Sequence, residues 1–188
     1  MISIITVNFN SYDFLNILLE SLQIYSSLPH HTIVIDNSEN PQKINTVNQI
    51  ITGFNTGHGT GLNLGVLHAL KYYYNDTYIM FLDVDCHILS HRWEIPLIES
   101  MKEYDLIGAK GVSAKPIRPA CMFMKQEIAR NNWDSTEGYR GERITPASEN
   151  NFDVAISAYH KIIASGKKVG FLETQPNRYG TINGEEYG

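Results

Sequence analysis

Cysteine is scarce in this sequence. Cys86 and Cys121 are the only two among 188 residues, too few for a disulfide scaffold and too far apart for Cys-x-x-Cys metal ligation. A reducing compartment is the simpler expectation. No Lys or Arg precedes Lys43, so the N-terminus lacks the basic region of a signal peptide. Long apolar runs are missing too. Unbroken stretches such as Tyr78 to Leu82 are far shorter than the ~20 residues that span a bilayer. Repeats, low-complexity tracts and linkers are lacking. So is positive charge: the net charge is −5 and the pI about 5.8, which excludes a general electrostatic grip on nucleic acid or an anionic membrane. A small local anion site is not excluded. These absences predict a cytoplasmic protein with no transmembrane segment and no nucleic-acid partner.

Hydrophobic residues make up 43% of the chain and charged residues 19%. A chain of this size buries roughly 70% of the surface its unfolded form exposes, enough for a core without staples. The charge is uneven. Residues 1–105 carry 4 basic and 11 acidic side chains, whereas residues 106–178 carry 11 basic and 7 acidic. The expectation is one domain, 1–188, with two functional halves, 1–105 and 106–188.

The first half alternates strand and helix signals. Ile2 to Val7 is a β-branched run. Ser11 is placed to cap a helix whose apolar positions are Phe14, Leu15, Leu18, Leu19, Leu22 and Tyr25. Thr32 to Ile35 and Ile50 to Phe54 read as further strands. A Gly-rich loop, Gly57, Gly59 and Gly61, leads into a helix with Leu62, Val66, Ala69, Leu70 and Tyr73 on one face. Tyr78 to Leu82 is a fourth strand. In the second half, Leu106 to Val112 and Ala120 to Met124 read as strands and residues 133–150 as a long polar loop. Phe152, Ala155, Ile156, Tyr159, Ile162 and Ile163 mark an amphipathic helix ended by Gly166, and Val169 to Leu172 is a last strand. Alternating β and α elements predict an α/β fold: a Rossmann-like, mostly parallel sheet with helices on both faces. Ligands in such sheets bind beyond the carboxyl ends of the strands. Asn8, Asp36, Asn55 and Asp83 all fall at that edge.

Several side chains there can do chemistry. In Asp83-Val84-Asp85, residues i and i+2 of an extended chain face the same way, and two hard oxygen ligands suit Mg²⁺ or Mn²⁺. The plainer reading is two solvated turn acids. Asp36 can accept from a nucleobase N–H or a ribose hydroxyl, or serve an Asx-turn with Asn37 and Ser38. Phe9, between Asn8 and Asn10, offers a face for stacking on a base, or folds back on the core. The run Asn55 to Gly65 combines close backbone approach with a helix N-terminus, suited to phosphate or ribose. It is neither a dinucleotide fingerprint, since Leu62 stands where a third Gly is needed, nor a P-loop, since no Gly-Lys-Ser/Thr is present. His87 and His91 are candidates to enlarge a metal site at Asp83 and Asp85. Asp153 opens the late helix, where it serves the helix dipole or acts as a base, with Glu149 the nearest alternative.

Together these residues resemble the family 2 glycosyltransferases of GT-A fold. Ser3 to Asn10 is similar to that family's opening strand and nucleotide loop, and Ile33 to Ser38 to its second strand and base-binding acid. Gly57 to Gly65 resembles its Gly-rich segment ending in Asn-x-Gly, and Phe81 to Asp85 its metal-binding Asp-x-Asp. Pro119 to Met124 resembles the strand lining the acceptor side, and Phe152 to Leu172 the late helix and strand. The resemblance implies metal-assisted, inverting transfer from a nucleotide-sugar donor, most simply a UDP-sugar, to an acceptor hydroxyl. The acceptor itself, a saccharide, a lipid-linked molecule or a protein, stays open. By the same resemblance Val7, Asn8, Phe9, Asp36, Asn63 and Asp83 bind the donor, Asp83 and Asp85 hold Mn²⁺ or Mg²⁺, and Asp153 is the catalytic base. The sequence departs from the family pattern in having Asp153 alone where an acidic pair is common. Its tail also reads Asn177-Arg178-Tyr179-Gly180 where many relatives supply a His near the metal; Arg178 is a candidate for the diphosphate. Two rival readings use the same residues. One is a haloacid-dehalogenase-like phosphatase with Asp83 as nucleophile and Asp85 as acid. The other is a non-catalytic domain that binds a nucleotide or a partner.

Overall fold

The computed structural model describes residues 1–110, 117–133, 154–172, 180–182 and 185–187. Seven strands form one sheet in the order β3-β2-β1-β4-β6-β5-β7. They are β1 (Ile2–Asn8), β2 (His30–Asp36), β3 (Asn48–Ile51), β4 (Tyr78–Leu82), β5 (Leu106–Lys110), β6 (Ile117–Lys125) and β7 (Val169–Leu172). Only β6 runs against the others, pairing antiparallel with both β4 and β5. The helices are α1 (Tyr12–Tyr25), α2 (His58–Tyr72), α3 (Glu94–Ser100), α4 (Gln126–Asn132) and α5 (Val154–Ala164). A separate antiparallel pair joins β8 (Gly180–Ile182) to β9 (Glu185–Tyr187). The expected mostly parallel α/β sheet is therefore what forms, and it runs unbroken across both halves of the chain.

The sheet is covered on both faces, which explains why its central strands are apolar runs without polar alternation. Period-two geometry sorts their side chains. Ile5 and Val7 of β1, Ile33 and Ile35 of β2, Ile79 and Phe81 of β4, and Met122 and Met124 of β6 pack with Leu62, Val66 and Ala69 of α2. Ile2, Ile4, Met80, Leu82 and Phe123 pack with Leu18 and Leu22 of α1 on the other face. Helix α2 lies close to β1 because it presents glycines there. A Cβ on Gly65 would stand 2.3 Å from Ile5 Cγ2, and one on Gly61 2.8 Å from Val7.

Three local expectations need correction. Ser11 precedes α1, but its side chain makes no cap. Its hydroxyl donates to the Phe9 carbonyl, and its amide donates to Asn8 Oδ1 at 3.1 Å. Phe14, expected on the apolar face of α1, is exposed. Strand β3 ends at Ile51, short of Phe54, because the Thr52 amide donates to the Asp36 carbonyl and Gly53 turns the chain at φ 78°. Helices α3 and α4 were not expected from the sequence; each is only 7 residues long, too short for a helical period to stand out. Val112 and most of the expected 133–150 loop lie outside the described residues.

Candidate active site

Strands β1, β2 and β4 end side by side, so Asn8, Asp36 and the Asp83 turn meet at one edge of the sheet. Asn8 is buried and organises the junction. Its carboxamide nitrogen donates to Asp36 Oδ1 at 3.2 Å and to Ser38 Oγ at 3.1 Å. Val7 is buried beneath it, against Gly61. Phe9 follows at 42% exposure, its ring available at the surface beside Asn10, which is held at φ 53°.

Asp36 is 0% exposed, yet its carboxylate is well satisfied. Oδ1 accepts from Asn8 and from the Ser38 amide at 3.1 Å; Oδ2 accepts from Tyr12 Oη at 2.7 Å and Gln49 Nε2 at 2.8 Å. Burial pushes its pKa up, but the hydrogen bonds from Ser38, Tyr12 and Gln49 outweigh burial and hold it below the usual carboxylate value. The Ser38 amide closes an Asx-turn on Oδ1, and the carboxylate lies at the C-terminal edge of the sheet.

Sequence reasoning passed over Asn37. It is buried, and its side chain ties the Gly-rich loop down. Its nitrogen donates to the Gly57 carbonyl at 3.2 Å, and its oxygen accepts from Thr52 and Thr56 hydroxyls, each at 3.0 Å. Its amide donates to the Asn8 carbonyl. The only available signal was its place after a strand.

The second acidic group is more open. Asp83 is 31% exposed at the side chain, and its Oδ1 lies 3.4 Å from Nε2 of His58, the first residue of α2. Its backbone is fixed by bonds to the Ala120 carbonyl and from the Cys86 amide. Asp85 is exposed. Burial first, then the neighbouring Asp83 and Asp85 charges, pushes the Cys86 thiol up to about 11. Burial, Cys86 and Asp83 push Cys121 up to about 12. Both remain protonated thiols at neutral pH.

His87 and His91 do not join this site. His87 stacks on Phe14 and His91 meets Tyr25 edge-on, so both lie against α1. The Ile88 amide donates to Ser21 Oγ and the Trp93 indole to Ser26 Oγ, which fastens the segment there. Among the described residues, no group of three or more His, Cys, Asp or Glu side chains is close enough to hold a metal. Asp83 and its exposed neighbour Asp85 are both carboxylates, the hard oxygen donors that suit a divalent ion. Asn63 is buried in α2, where its oxygen accepts from the Trp133 indole at 2.8 Å. Asp153, Glu149 and Arg178 lie outside the described residues.

The same architecture occurs in solved structures. A mannosyltransferase, PcManGT from Pyrobaculum calidifontis, in complex with GDP-Man and Mn²⁺, has TM-score 0.62 at 12% identity, covering 94% of this chain and 57% of that one. S. aureus TarS in complex with UDP has TM-score 0.59 at 15% identity, covering 93% and 58%. The bifunctional IspDF from Campylobacter jejuni has TM-score 0.55 at 15% identity, covering 93% and 50%. The chain spans about half the length of these proteins. At such identities the likeness establishes the fold, which is GT-A. A comparison with curated protein sequences gives no match. The family model for glycosyl transferase family 2 matches residues 3–118, well over half of the chain. The chain belongs to glycosyl transferase family 2. That membership removes the phosphatase reading. Among the described residues, no helix is long and apolar enough to cross a membrane.

Proposed function

We propose that the chain moves a sugar, with inversion, from a UDP-sugar to an acceptor hydroxyl, assisted by a divalent metal. The observation that carries this reading is the convergence of Asn8, Asp36 and Asp83 at one sheet edge beside the N-terminus of α2. Relatives of the same fold that hold UDP, UDP-GlcNAc and GDP-Man support a nucleotide-sugar donor. Phe9 stacks on the base, with Val7 and Asn8 beside it. Asp36 forms the floor of the base pocket, where a base N–H takes the place of one of its present donors. Asn63 acts from within α2, holding that helix against Trp133.

Asp83 and Asp85 hold Mn²⁺ or Mg²⁺, which when bound supplies Lewis-acid stabilisation of the departing diphosphate. The N-terminal dipole of α2 adds to that stabilisation. On the acceptor side, residues 106–188 orient the hydroxyl. Asp153, next to the first residue of α5, takes its proton as the oxygen attacks the anomeric carbon. One bond forms to the acceptor oxygen while the bond to the phosphate oxygen breaks, so a single displacement inverts the centre. Calorimetric titration of UDP, GDP and ADP, each with Mn²⁺ and then with EDTA, tests the reading. UDP should bind and lose most of its affinity to EDTA. Binding of no nucleotide would overturn the proposal, and binding of GDP alone would move the donor.

A further inference from the structure

Asp36 has no acceptor site to spare. A carboxylate offers about four lone-pair sites, and Asn8, the Ser38 amide, Tyr12 and Gln49 take two on each oxygen. A ligand N–H reaches this acid only by displacing one of them, and they are not equally easy to move. The Ser38 amide is main chain in a buried turn, and Asn8 is 0% exposed, so either would be left with a buried N–H unpaired. Tyr12 begins α1, and its hydroxyl also accepts from the Gln42 amide at 2.8 Å. Gln49 is placed differently. It stands half-buried on β3, an edge strand of the sheet, and has the most flexible of these side chains.

Gln49 is also a clamp. Its nitrogen donates to Asp36 Oδ2 at 2.8 Å and to the Gln42 carbonyl at 2.6 Å, while its oxygen accepts from the Ile44 amide at 3.0 Å. Two acceptors on one side and a donor on the other fix which end of the carboxamide is which. One side chain thus ties the β2–β3 connection, at Gln42 and Ile44, to the buried acid. Gln42 is exposed and Ile44 half-buried, so water can replace Gln49 at both when it leaves. We propose that Gln49 is the donor that the base displaces: the base N–H takes its place on Asp36 Oδ2, and the segment at Gln42 and Ile44 is released. This rests on Asp36 as the base-binding acid of the reading above. It makes Gln49 a competitor for the base pocket rather than a contact within it. It also requires the base to bring a ring N–H, as uracil does at N3.

The test follows two backbone amides by NMR solvent exchange in the full chain, with and without UDP. UDP should speed exchange of the Ile44 amide roughly fivefold or more and leave the Gln42 amide, held by Tyr12, unchanged. Gln49→Ala should show the fast Ile44 exchange without nucleotide. It should also bind UDP roughly tenfold tighter, because no donor is left to displace. UDP methylated at N3 should bind the parent roughly tenfold more weakly than UDP and leave Ile44 slow. UDP bound with Ile44 exchange unchanged or slowed, or with equal or weaker affinity in Gln49→Ala, would overturn the displacement and leave the donor site standing. The exchange measurement on the parent decides the matter if Gln49→Ala folds poorly. Equal binding of the methylated nucleotide would remove Asp36 from the base, and failure of UDP to bind would overturn the donor site; either would take the displacement with it.

Discussion

The ends of β2 and β4 carry the two acids on which the site turns, and they are built in opposite ways. At β2, Asp36 is sealed from solvent and surrounded by Asn8, Ser38, Tyr12 and Gln49, all donating to it. At β4, Asp83 stands half open, with His58 at 3.4 Å and exposed Asp85 two residues on. The first end is satisfied from within the protein, because a buried carboxylate without partners would be costly. Asp83, about a third exposed at its side chain, needs less compensation from the protein because water reaches it. The difference teaches that one sheet edge can set a sealed, internally satisfied carboxylate beside acids that water reaches.

The contrast can be attacked from both sides. The largest effect is expected with both ends left intact. Asp153→Asn should keep UDP affinity and lower turnover by roughly 10²–10⁴-fold, the usual contribution of a general base; full turnover in that variant would move the role to Glu149 or elsewhere. At the open end, Asp85→Ala should abolish the Mn²⁺-dependent part of UDP affinity while leaving the melting temperature near the parent's. Calorimetry and thermal melting read the two quantities separately, and unchanged affinity would remove Asp85 from the metal.

The sealed end should respond in stability instead. Asp36→Ala strands several buried donors and should cost roughly 2–4 kcal/mol in denaturant unfolding. The sign of its pH dependence is fixed by its depressed pKa. The stabilisation is fully present above the unfolded carboxylate value, about 3.9, and is lost as pH falls through the lower folded value. The parent should therefore lose this increment in acid below about pH 4, and Asp36→Asn should show a shallower acid slope. An identical acid slope would mean that Asp36 is not the group responsible. The smallest effect concerns the helix that serves both ends. Gly65→Ala puts a methyl 2.3 Å from Ile5 Cγ2 and should cost ~1–3 kcal/mol by overpacking. It should also weaken UDP binding slightly by lifting α2 from β1. Stability equal to the parent's would show that α2 can shift without penalty.

Much of the fold was legible because the signals were long or local. The β-branched run from Ile2 to Val7 sits fully inside the sheet. Gly166 ends α5 as expected, at φ 75°, with its amide on the Ile163 carbonyl and Lys167's on Ile162's. Strand ends at Asn8, Asp36 and Asp83 could be placed because a parallel sheet puts its loops at one edge. Other features were hidden. Ser11 leaves its helix uncapped because its hydroxyl turns back to the Phe9 carbonyl while Asn8 takes its amide, a choice of partner that the residue pattern alone does not record. His87 and His91 follow the Asp-x-Asp by only a few residues, yet packing against Phe14 and Tyr25 of α1 takes them away from it.

What the sequence determined by itself was the order of elements, the sheet edge and the kinds of side chain found there. Those follow from hydrophobic periodicity and turn chemistry, which act over a few residues. The tertiary structure alone decided which side chains meet. Asn37 binds the Gly-rich loop across about 20 residues, Trp133 reaches Asn63 across about 70, and His58 approaches Asp83 from another element. Such pairs are set by sheet register and by how closely glycines let a helix lie on a strand, and no local pattern records them.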